Sequence, residues 1–178
     1  MDNIRSYQGH SPRIADGVFV ADTALIIGNV AIGEQSSIWF HSVLRGDINS
    51  ITVGQRSNLQ DGTIVHVDYE RYKTIIEDEV TIGHHATIHG CTLHSRCLIG
   101  MGATILSGAE VQTGAIVAAG SVVREGQIVP ERTLVAGVPA QPRRQITTEE
   151  WDMIINSALH YVDYSLQYRT HRSDTPAT

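Results

Sequence analysis

Six of the nine histidines lie between residues 41 and 94, and three of them stand in the segment GHHATIHG at residues 83–90. Neutral imidazoles are common ligands of transition metals, and three suffice for a catalytic Zn²⁺-type site that leaves one position open for water. The alternatives are solvated turn residues and histidines that are satisfied within a core. The period of the chain must be known first, because it decides which side chains share a surface.

Aliphatic residues recur every six positions along most of the chain. The series is Ile14, Val20, Ile26, Ile32, Ile38, Leu44, then Val53, Leu59, Val65, then Ile76, Ile82, Ile88, and, after a slip of one residue, Leu93, Ile99, Ile105, Val111, Val117, Val123, Val129, Val135. A helix of 3.6 residues per turn would scatter such side chains around its axis, so a strict six excludes a helix. Glycine follows the aliphatic residue at four places (33, 54, 83 and 100), where we expect sharp turns of the backbone.

This period predicts an all-β solenoid, a left-handed parallel β-helix of hexapeptide repeats over about residues 10–138. Three short strands would form one triangular coil, and the stacked coils would bury a ladder of aliphatic side chains. A capping box at Thr147 and Glu150 then predicts a C-terminal α-helix over about residues 147–168, packed along the solenoid. The expected packing stripe is Trp151, Ile154, Ile155, Ala158, Leu159, Val162 and Leu166. We expect a single domain over residues 1–178, with a disordered tail at 169–178.

The composition excludes several classes of partner. The 178 residues carry a formal charge of −6 and no cluster of Lys and Arg, which argues against nucleic acid as a partner. No run of 18 apolar residues predicts a membrane span, and the first residues lack the apolar region of a signal peptide. We therefore expect a cytoplasmic protein without a membrane partner.

The frame separates the histidines. His66 and His89 each follow a frame residue directly, so both should occupy the same outward slot of their hexapeptides. His84 stands two places after its frame residue, in the same surface region. His85 should leave an extended chain in the opposite direction, which removes it from the candidate ligands. Spacing alone leaves surface histidines as an open alternative for all three.

Two breaks in the frame, at residues 44–53 and 65–76, are places where function is expected, because the repeat itself needs only its core. Polar residues cluster around them: Arg45, Asp47, Asn58, Gln60 and Asp61 precede His66. Arg45 and Asp47 are two apart, so in a strand their side chains point the same way and could pair with a neighbouring chain.

Several segments together resemble the gamma-class carbonic anhydrase-like family, over about residues 10–165. They are SIWFHSVLRGDINSITVGQRSNLQDGTIVHV, TIGHHATIHGCTL, LIGMGATIL and VAGVPAQPRR. The resemblance implies reversible hydration of CO₂ to bicarbonate by metal-bound hydroxide. It also implies a homotrimer with metal sites at the subunit interfaces, and three imidazoles favour Zn²⁺, with Fe²⁺ or Co²⁺ as alternatives.

The same resemblance assigns roles to individual residues. His66 and His89 match the metal ligands from one subunit, and His84 matches the ligand from its neighbour. The remaining matches are Arg45 and Asp47, which help hold the interface and the site, and Gln60 and Asp61, which lie near the metal-bound water, with Asn58 in support.

The chain departs from the family pattern at the proton-transfer step. Ile48 stands where the best-characterised family type has Glu, and the loop VDYERYKT is too short to match the family's acidic loop. Asp68 or Glu70 could substitute, and efficient turnover is therefore less well supported than metal binding. Two alternatives stay open: a hexapeptide-repeat acyltransferase, and a non-catalytic trimeric metal-binding scaffold.

Overall fold

The structure is a computed structural model that describes residues 3–171; residues 172–178, which hold most of the tail expected to be disordered, lie outside the described residues. The strands are β1 (Ile4–Arg5), β2 (Arg13–Ile14), β3 (Phe19–Val20), β4 (Leu25–Ile32), β5 (Ser37–Ile38), β6 (Val43–Val53), β7 (Asn58–Leu59), β8 (Ile64–His66), β9 (Thr74–Ile76), β10 (Thr81–Ile82), β11 (Thr87–His89), β12 (Thr92–Leu93), β13 (Leu98–Ile99), β14 (Thr104–Ile105), β15 (Glu110–Val111), β16 (Ile116–Val117), β17 (Val122–Val123), β18 (Ile128–Val129), β19 (Thr133–Ala136) and β20 (Gln141–Gln145). One helix, α1 (Thr148–His171), follows them.

These strands form the three faces of a left-handed parallel β-helix, as the period of six predicts. The helix face contains β3, β5, β7, β10, β13, β16 and β19 in parallel register, which marks seven turns, and β20 adds an antiparallel edge. The histidine face contains the first parts of β4 and β6, followed by β8, β11, β14 and β17. The third face contains β2, the last parts of β4 and β6, and then β9, β12, β15 and β18.

The predicted frame residues form the core. All of them are buried except Ile14 and Val20 in the first turn, which are half-buried. Their inward side chains stack from turn to turn, because the parallel register aligns each with its equivalent one coil away, as Val65 aligns with Ile88. Burial of each large aliphatic side chain contributes about 2 kcal/mol, which is why the repeat tolerates little else at these positions.

The four frame glycines serve a different purpose from the predicted one. None of Gly33, Gly54, Gly83 and Gly100 has a positive φ; instead, a Cβ at Gly100 would lie 2.4 Å from a backbone nitrogen of the next coil. The close stacking of coils, rather than a sharp turn, therefore requires glycine there. The left-handed conformation lies two residues further on, for example at His85, with φ 58°.

Both breaks in the frame lie at the edge where the histidine face meets the third face. Between β4 and β6 the register shifts, so that residues 47–50 protrude opposite Asn29. Gly28 (φ 76°) makes this crossing possible, since a Cβ there would lie 2.4 Å from the carbonyl oxygen of Gly46. The second break, residues 67–73, is a loop between β8 and β9 whose tip at Tyr69 is 65% exposed.

Helix α1 begins at the predicted capping box: the backbone N–H of Glu150 donates to Thr147 Oγ1 (3.2 Å), and the backbone N–H of Thr147 donates to the Glu150 carboxylate (2.9 Å). The helix then runs back along the helix face from the last turn to the first. Trp151 packs under the Arg132 guanidinium, whereas Tyr168 packs against Trp39 with ring centroids 5.1 Å apart.

The predicted packing stripe of the helix is partly wrong. Ile154 and Ala158 are buried, but Leu159 and Leu166 are 47% and 57% exposed. The helix also extends to His171, beyond the predicted end at 168, because contacts of Tyr168 with three aromatic rings hold its last turns on the solenoid. No helix within residues 3–171 combines the length and hydropathy needed to cross a membrane.

Candidate functional site

Two of the predicted ligands face each other on the histidine face. His66 ends β8 and His89 ends β11, and the parallel register makes them direct partners on neighbouring coils. Nδ1 of His66 lies 3.3 Å from Nε2 of His89, and both rings are half-buried. The shared outward slot predicted from the frame is therefore confirmed.

The other nitrogen of each ring has its own partner. His66 Nε2 lies 2.9 Å from Asp47 Oδ1, and His89 Nδ1 lies 3.0 Å from Ser107 Oγ. Arg45 donates to the second carboxylate oxygen of Asp47, so Arg45 and Asp47 pair with each other within the chain. We call these five residues the two-histidine group. Such partners fix the orientation of a ligating imidazole and leave its other nitrogen available.

The electrostatics of this group favour a neutral His89 and an ionised Asp47. Burial, together with the charge of His66, lowers the pKa of His89 below its ordinary value. Burial raises the pKa of Asp47, but hydrogen bonds from His66 and Arg45 outweigh it, and the net pKa is lowered. Metal ligation by histidine requires the neutral ring, so this environment suits a ligand.

The third predicted ligand is held separately. His84 lies in the turn between β10 and β11, where its Nδ1 is 2.8 Å from Asp61 Oδ2 and both side chains are 40% exposed. Tyr161 of α1 is close by: burial, and then the charge of Asp61, raise its pKa. We call His84 and Asp61 the single-histidine group. Nε2 of His84 has no partner within residues 3–171.

The two groups lie at opposite edges of the histidine face. His84 precedes β11 and His89 ends it, and five residues of extended chain span up to about 17 Å. Within the described part of the chain, no three His, Cys, Asp or Glu side chains come close enough to hold a metal ion. The structure thus brings together Arg45, Asp47, His66 and His89, but it does not bring His84 to them within one subunit.

The remaining histidines take other roles. His85 is exposed and has a positive φ, so it lies in a turn and not in the extended strand that the sequence analysis assumed. His41 is likewise exposed with positive φ. His94 lies 3.0 Å from Glu77 on the third face, away from both groups.

Gln60 and its neighbour Asn58 are buried beneath the helix. Gln60 is 7% exposed and Asn58 is 1% exposed, and Nε2 of Gln60 donates to Oδ1 of Asn58 (3.2 Å). Asp61, the next residue, turns outward to His84. The sequence grouped these residues correctly with each other, although they belong to the edge of His84 and not to that of His66.

A shallow cavity adjoins His66 and His89, and its walls carry two carboxylates. They are Asp68, which the sequence analysis named as a substitute in proton transfer, and Glu125, which it did not name. Both lie close enough for their charges to act on His89. Glu125 follows β17, two coils away from His89 in the stack, and only the register of the coils reveals that neighbourhood. Glu70 does not line this cavity.

Comparison with known proteins agrees with this architecture. A family profile described as "Hexapeptide repeat of succinyl-transferase" matches residues 73–107 and 95–125. A crystal structure of a hexapeptide transferase family protein from Anaplasma phagocytophilum superposes with a TM-score of 0.90 at 40% identity, over 94% of this chain and 99% of that chain.

Comparison with curated relatives identifies the family more specifically. The chain is 52% identical to the "Probable carbonic anhydrase" of Methanocaldococcus jannaschii, over 85% of this chain and 95% of that protein. It is 44% identical to "Gamma carbonic anhydrase 2, mitochondrial" of Arabidopsis thaliana over 92% of its length, although it spans 60% of that longer relative. The chain belongs to the gamma carbonic anhydrase family.

Proposed function

We propose that this protein hydrates CO₂ reversibly to bicarbonate at a metal centre, and that each centre is assembled from two subunits. The observation that carries the proposal is the pairing of His66 and His89, whose facing nitrogens lie 3.3 Å apart while their other nitrogens are engaged. Two lone pairs in that arrangement repel unless a proton or a metal cation lies between them.

The donor set fits a divalent metal. Two imidazole nitrogens bound to one tetrahedral zinc at its usual bond length lie about 3.3–3.4 Å apart, which is the separation of these two nitrogens. His84 offers a third nitrogen, Nε2, because its Nδ1 is held by Asp61 and the side chain is 40% exposed. We propose Zn²⁺ as the resident metal, with Fe²⁺ or Co²⁺ accepted by the same ligands.

The separation of the two groups supports a shared site. His84 lies at one edge of the histidine face, while His66 and His89 lie at the other, so each edge presents an incomplete ligand set. A head-to-tail ring of subunits would bring unlike edges together at every interface, and a ring of three gives three equivalent sites. A closed ring of any size would satisfy both edges, so the number three rests on the family resemblance, and on that basis we propose a homotrimer.

When bound, the metal supplies hydroxide near neutral pH by lowering the pKa of a water molecule. The chain's own residues then orient the metal ligands and the reacting species and accept the released proton. Asp47 holds the His66 ring, and Ser107 holds the His89 ring. Gln60 lies next to Asp61, the residue that holds His84, and can orient the reacting species by hydrogen bonding. Asp68 and Glu125 line the adjoining cavity and can accept the proton that turnover releases.

An acyltransferase is the second candidate, because the matching family profile and a similar solved structure carry transferase descriptions. Those descriptions refer to a solenoid that both classes of protein use. Acyl transfer needs one general base, so an acyltransferase would not require three imidazoles that are each oriented by a separate partner. We therefore favour CO₂ hydration.

A trimeric scaffold with a metal that does not catalyse is the third candidate. Ile48 is 43% exposed at the rim of the cavity, where a carboxylate would have assisted proton transfer. Asp68 and Glu125 offer alternatives, which is our reason for preferring an enzyme. A cytoplasmic location is part of the proposal and rests on the sequence alone.

Stopped-flow measurement of CO₂ hydration, on protein reconstituted with zinc, tests the proposal directly. We expect hydration above the buffer rate that disappears in His66→Ala, while His85→Asn, which preserves a turn that Asn tolerates, keeps it. Metal binding without hydration would support the scaffold. Tight binding of acetyl-CoA in calorimetry, without hydration, would support the acyltransferase.

A further inference from the structure

Four polar side chains form a continuous hydrogen-bonded chain beneath the C-terminal helix. Gln60 Nε2 donates to Asn58 Oδ1 (3.2 Å), Asn58 Nδ2 donates to Thr81 Oγ1 (2.9 Å), and Thr81 Oγ1 donates to Ser157 Oγ (3.4 Å). Asn58 and Thr81 are 1% and 4% exposed. These hydrogen bonds therefore link Ser157 of α1 to Gln60 through two buried side chains.

The direction of this chain depends on its far end. A hydroxyl has one proton, so Thr81 can donate to Ser157 or to Asn58, but not to both. In this structure Ser157 takes the Thr81 proton, so Asn58 presents its NH₂ to Thr81 and its carbonyl oxygen to Gln60. Gln60 must in turn present its NH₂ to Asn58. Without Ser157 as an acceptor, both Asn58 and Gln60 could turn their amides over at little cost.

The atom of the Gln60 amide that remains free is its carbonyl oxygen, Oε1, which accepts no hydrogen bond from the described residues. Among those residues, only Nε2 of His94 is a side-chain polar atom that is both buried and without a partner. Because Oε1 has no partner either, it cannot be buried. Oε1 of Gln60 therefore reaches the surface, adjacent in sequence to Asp61, which holds His84.

We infer that Ser157 and Thr81 are positioning residues that fix Gln60 with its oxygen, and not its NH₂, directed outward to the proposed centre. This inference rests on the proposed function for its catalytic consequence. An acceptor at that point binds the O–H of a hydroxide nucleophile and leaves the oxygen lone pair free to attack CO₂. A donor would bind the lone pair itself and make the nucleophile weaker.

Side-chain amide exchange of Gln60, measured by NMR on the full-length protein, reports on this arrangement without requiring activity. In the wild type and in the control Ser157→Thr, we expect the Gln60 NH₂ to exchange slowly, because it is buried against Asn58. In Ser157→Ala and Thr81→Val we expect exchange about tenfold faster, whereas Thr81→Ser should behave as the wild type does.

The kinetic readout is a split between kcat and KM. Ser157→Ala should lower kcat for CO₂ hydration about tenfold with KM within about twofold, because the substrate contacts remain. If amide exchange and kcat are both unchanged in Ser157→Ala and Thr81→Val, the inference is wrong. If the zinc-loaded wild type shows no hydration, the proposed function fails, while amide exchange alone still supports or overturns the positioning role.

Discussion

Nδ1 of His66 and Nε2 of His89 lie 3.3 Å apart on neighbouring coils of the solenoid. The parallel register places the two residues side by side, and the hydrogen bonds of Asp47 and Ser107 turn each ring so that a single nitrogen faces the other ring. A regular stack of coils thus brings together two facing imidazoles from residues that are 23 positions apart in the sequence.

Asp47 should control metal affinity through His66. Removal of its carboxylate leaves His66 Nε2 without a partner, so the ring loses both its orientation and its fixed tautomer. We expect Asp47→Ala to weaken zinc binding by about 10–100-fold, measured by competition with a chromophoric chelator. Asp163→Asn, which removes one exposed carboxylate from α1, is the charge control. Equal zinc affinity in the wild type and Asp47→Ala would show that Asp47 does not orient the ligand.

Gly28 should be required for the protruding segment that carries Asp47. Alanine at Gly28 must accept a positive φ and also a clash with the Gly46 carbonyl oxygen at 2.4 Å. Gly102 also has a positive φ, but no atom lies within 4 Å of its Cβ position. We expect Gly102→Ala to cost about 1 kcal/mol of unfolding free energy and Gly28→Ala more than about 3 kcal/mol.

Chemical denaturation measures both variants of this pair, and zinc content should fall in Gly28→Ala alone. Similar losses of stability in the two variants would mean that the left-handed conformation matters and the close approach does not.

Glu79 should make stability depend on acid pH. Hydrogen bonds from Arg96, and then from Arg56, hold the pKa of Glu79 below its ordinary value of 4.5 against the opposing effect of burial. A carboxyl whose pKa is lower in the folded state stabilises the fold above its unfolded pKa, and that stabilisation is lost as the pH falls through the folded pKa. Glu79→Gln should therefore cost about 1–2 kcal/mol at pH 7 and progressively less below about pH 4.5.

Thermal unfolding of chelator-treated protein between pH 7 and pH 3.5 checks this dependence, because it removes any contribution from a metal. Glu34→Gln, at an exposed position, is the matched control and should leave the curve unchanged. A constant difference in Tm between Glu79→Gln and the wild type across this range would contradict the assignment.

The sequence predicted the solenoid well because the inward positions accept only aliphatic side chains, so the period of six is visible directly. It predicted the roles of the frame glycines poorly. Close approach of Gly83 or Gly100 to the next coil and a sharp turn both favour glycine, and composition cannot separate the two causes. The conformation of His85 shows the same limit, since its positive φ follows from the three-dimensional turn.

The site was predictable where it depends on the frame and unpredictable where it depends on neighbouring coils. His66 and His89 share a slot of the repeat, so their pairing follows from the period. Ser107 and Glu125 approach His89 only through the stacking of later coils, and no spacing motif indicates them. The predicted packing stripe of α1 is wrong at Leu159 and Leu166. Apolar residues occupy two adjacent stripes of the helix, and the aromatic cluster with Tyr168 selects the one that packs on the solenoid.

Mixed trimers provide the most direct test of the proposed shared centre. Subunits carrying His84→Ala and subunits carrying His66→Ala each keep one edge of the site intact, and differently tagged copies can be co-expressed and separated. In any trimer that contains both kinds of subunit, one of the three interfaces brings an intact edge with His66 and His89 against an intact edge with His84. Zinc content of the purified mixed trimers is the decisive measurement. We predict one zinc per mixed trimer and none in either parent; mixed trimers as devoid of zinc as their parents would contradict a centre shared between His66 and His89 of one subunit and His84 of the next.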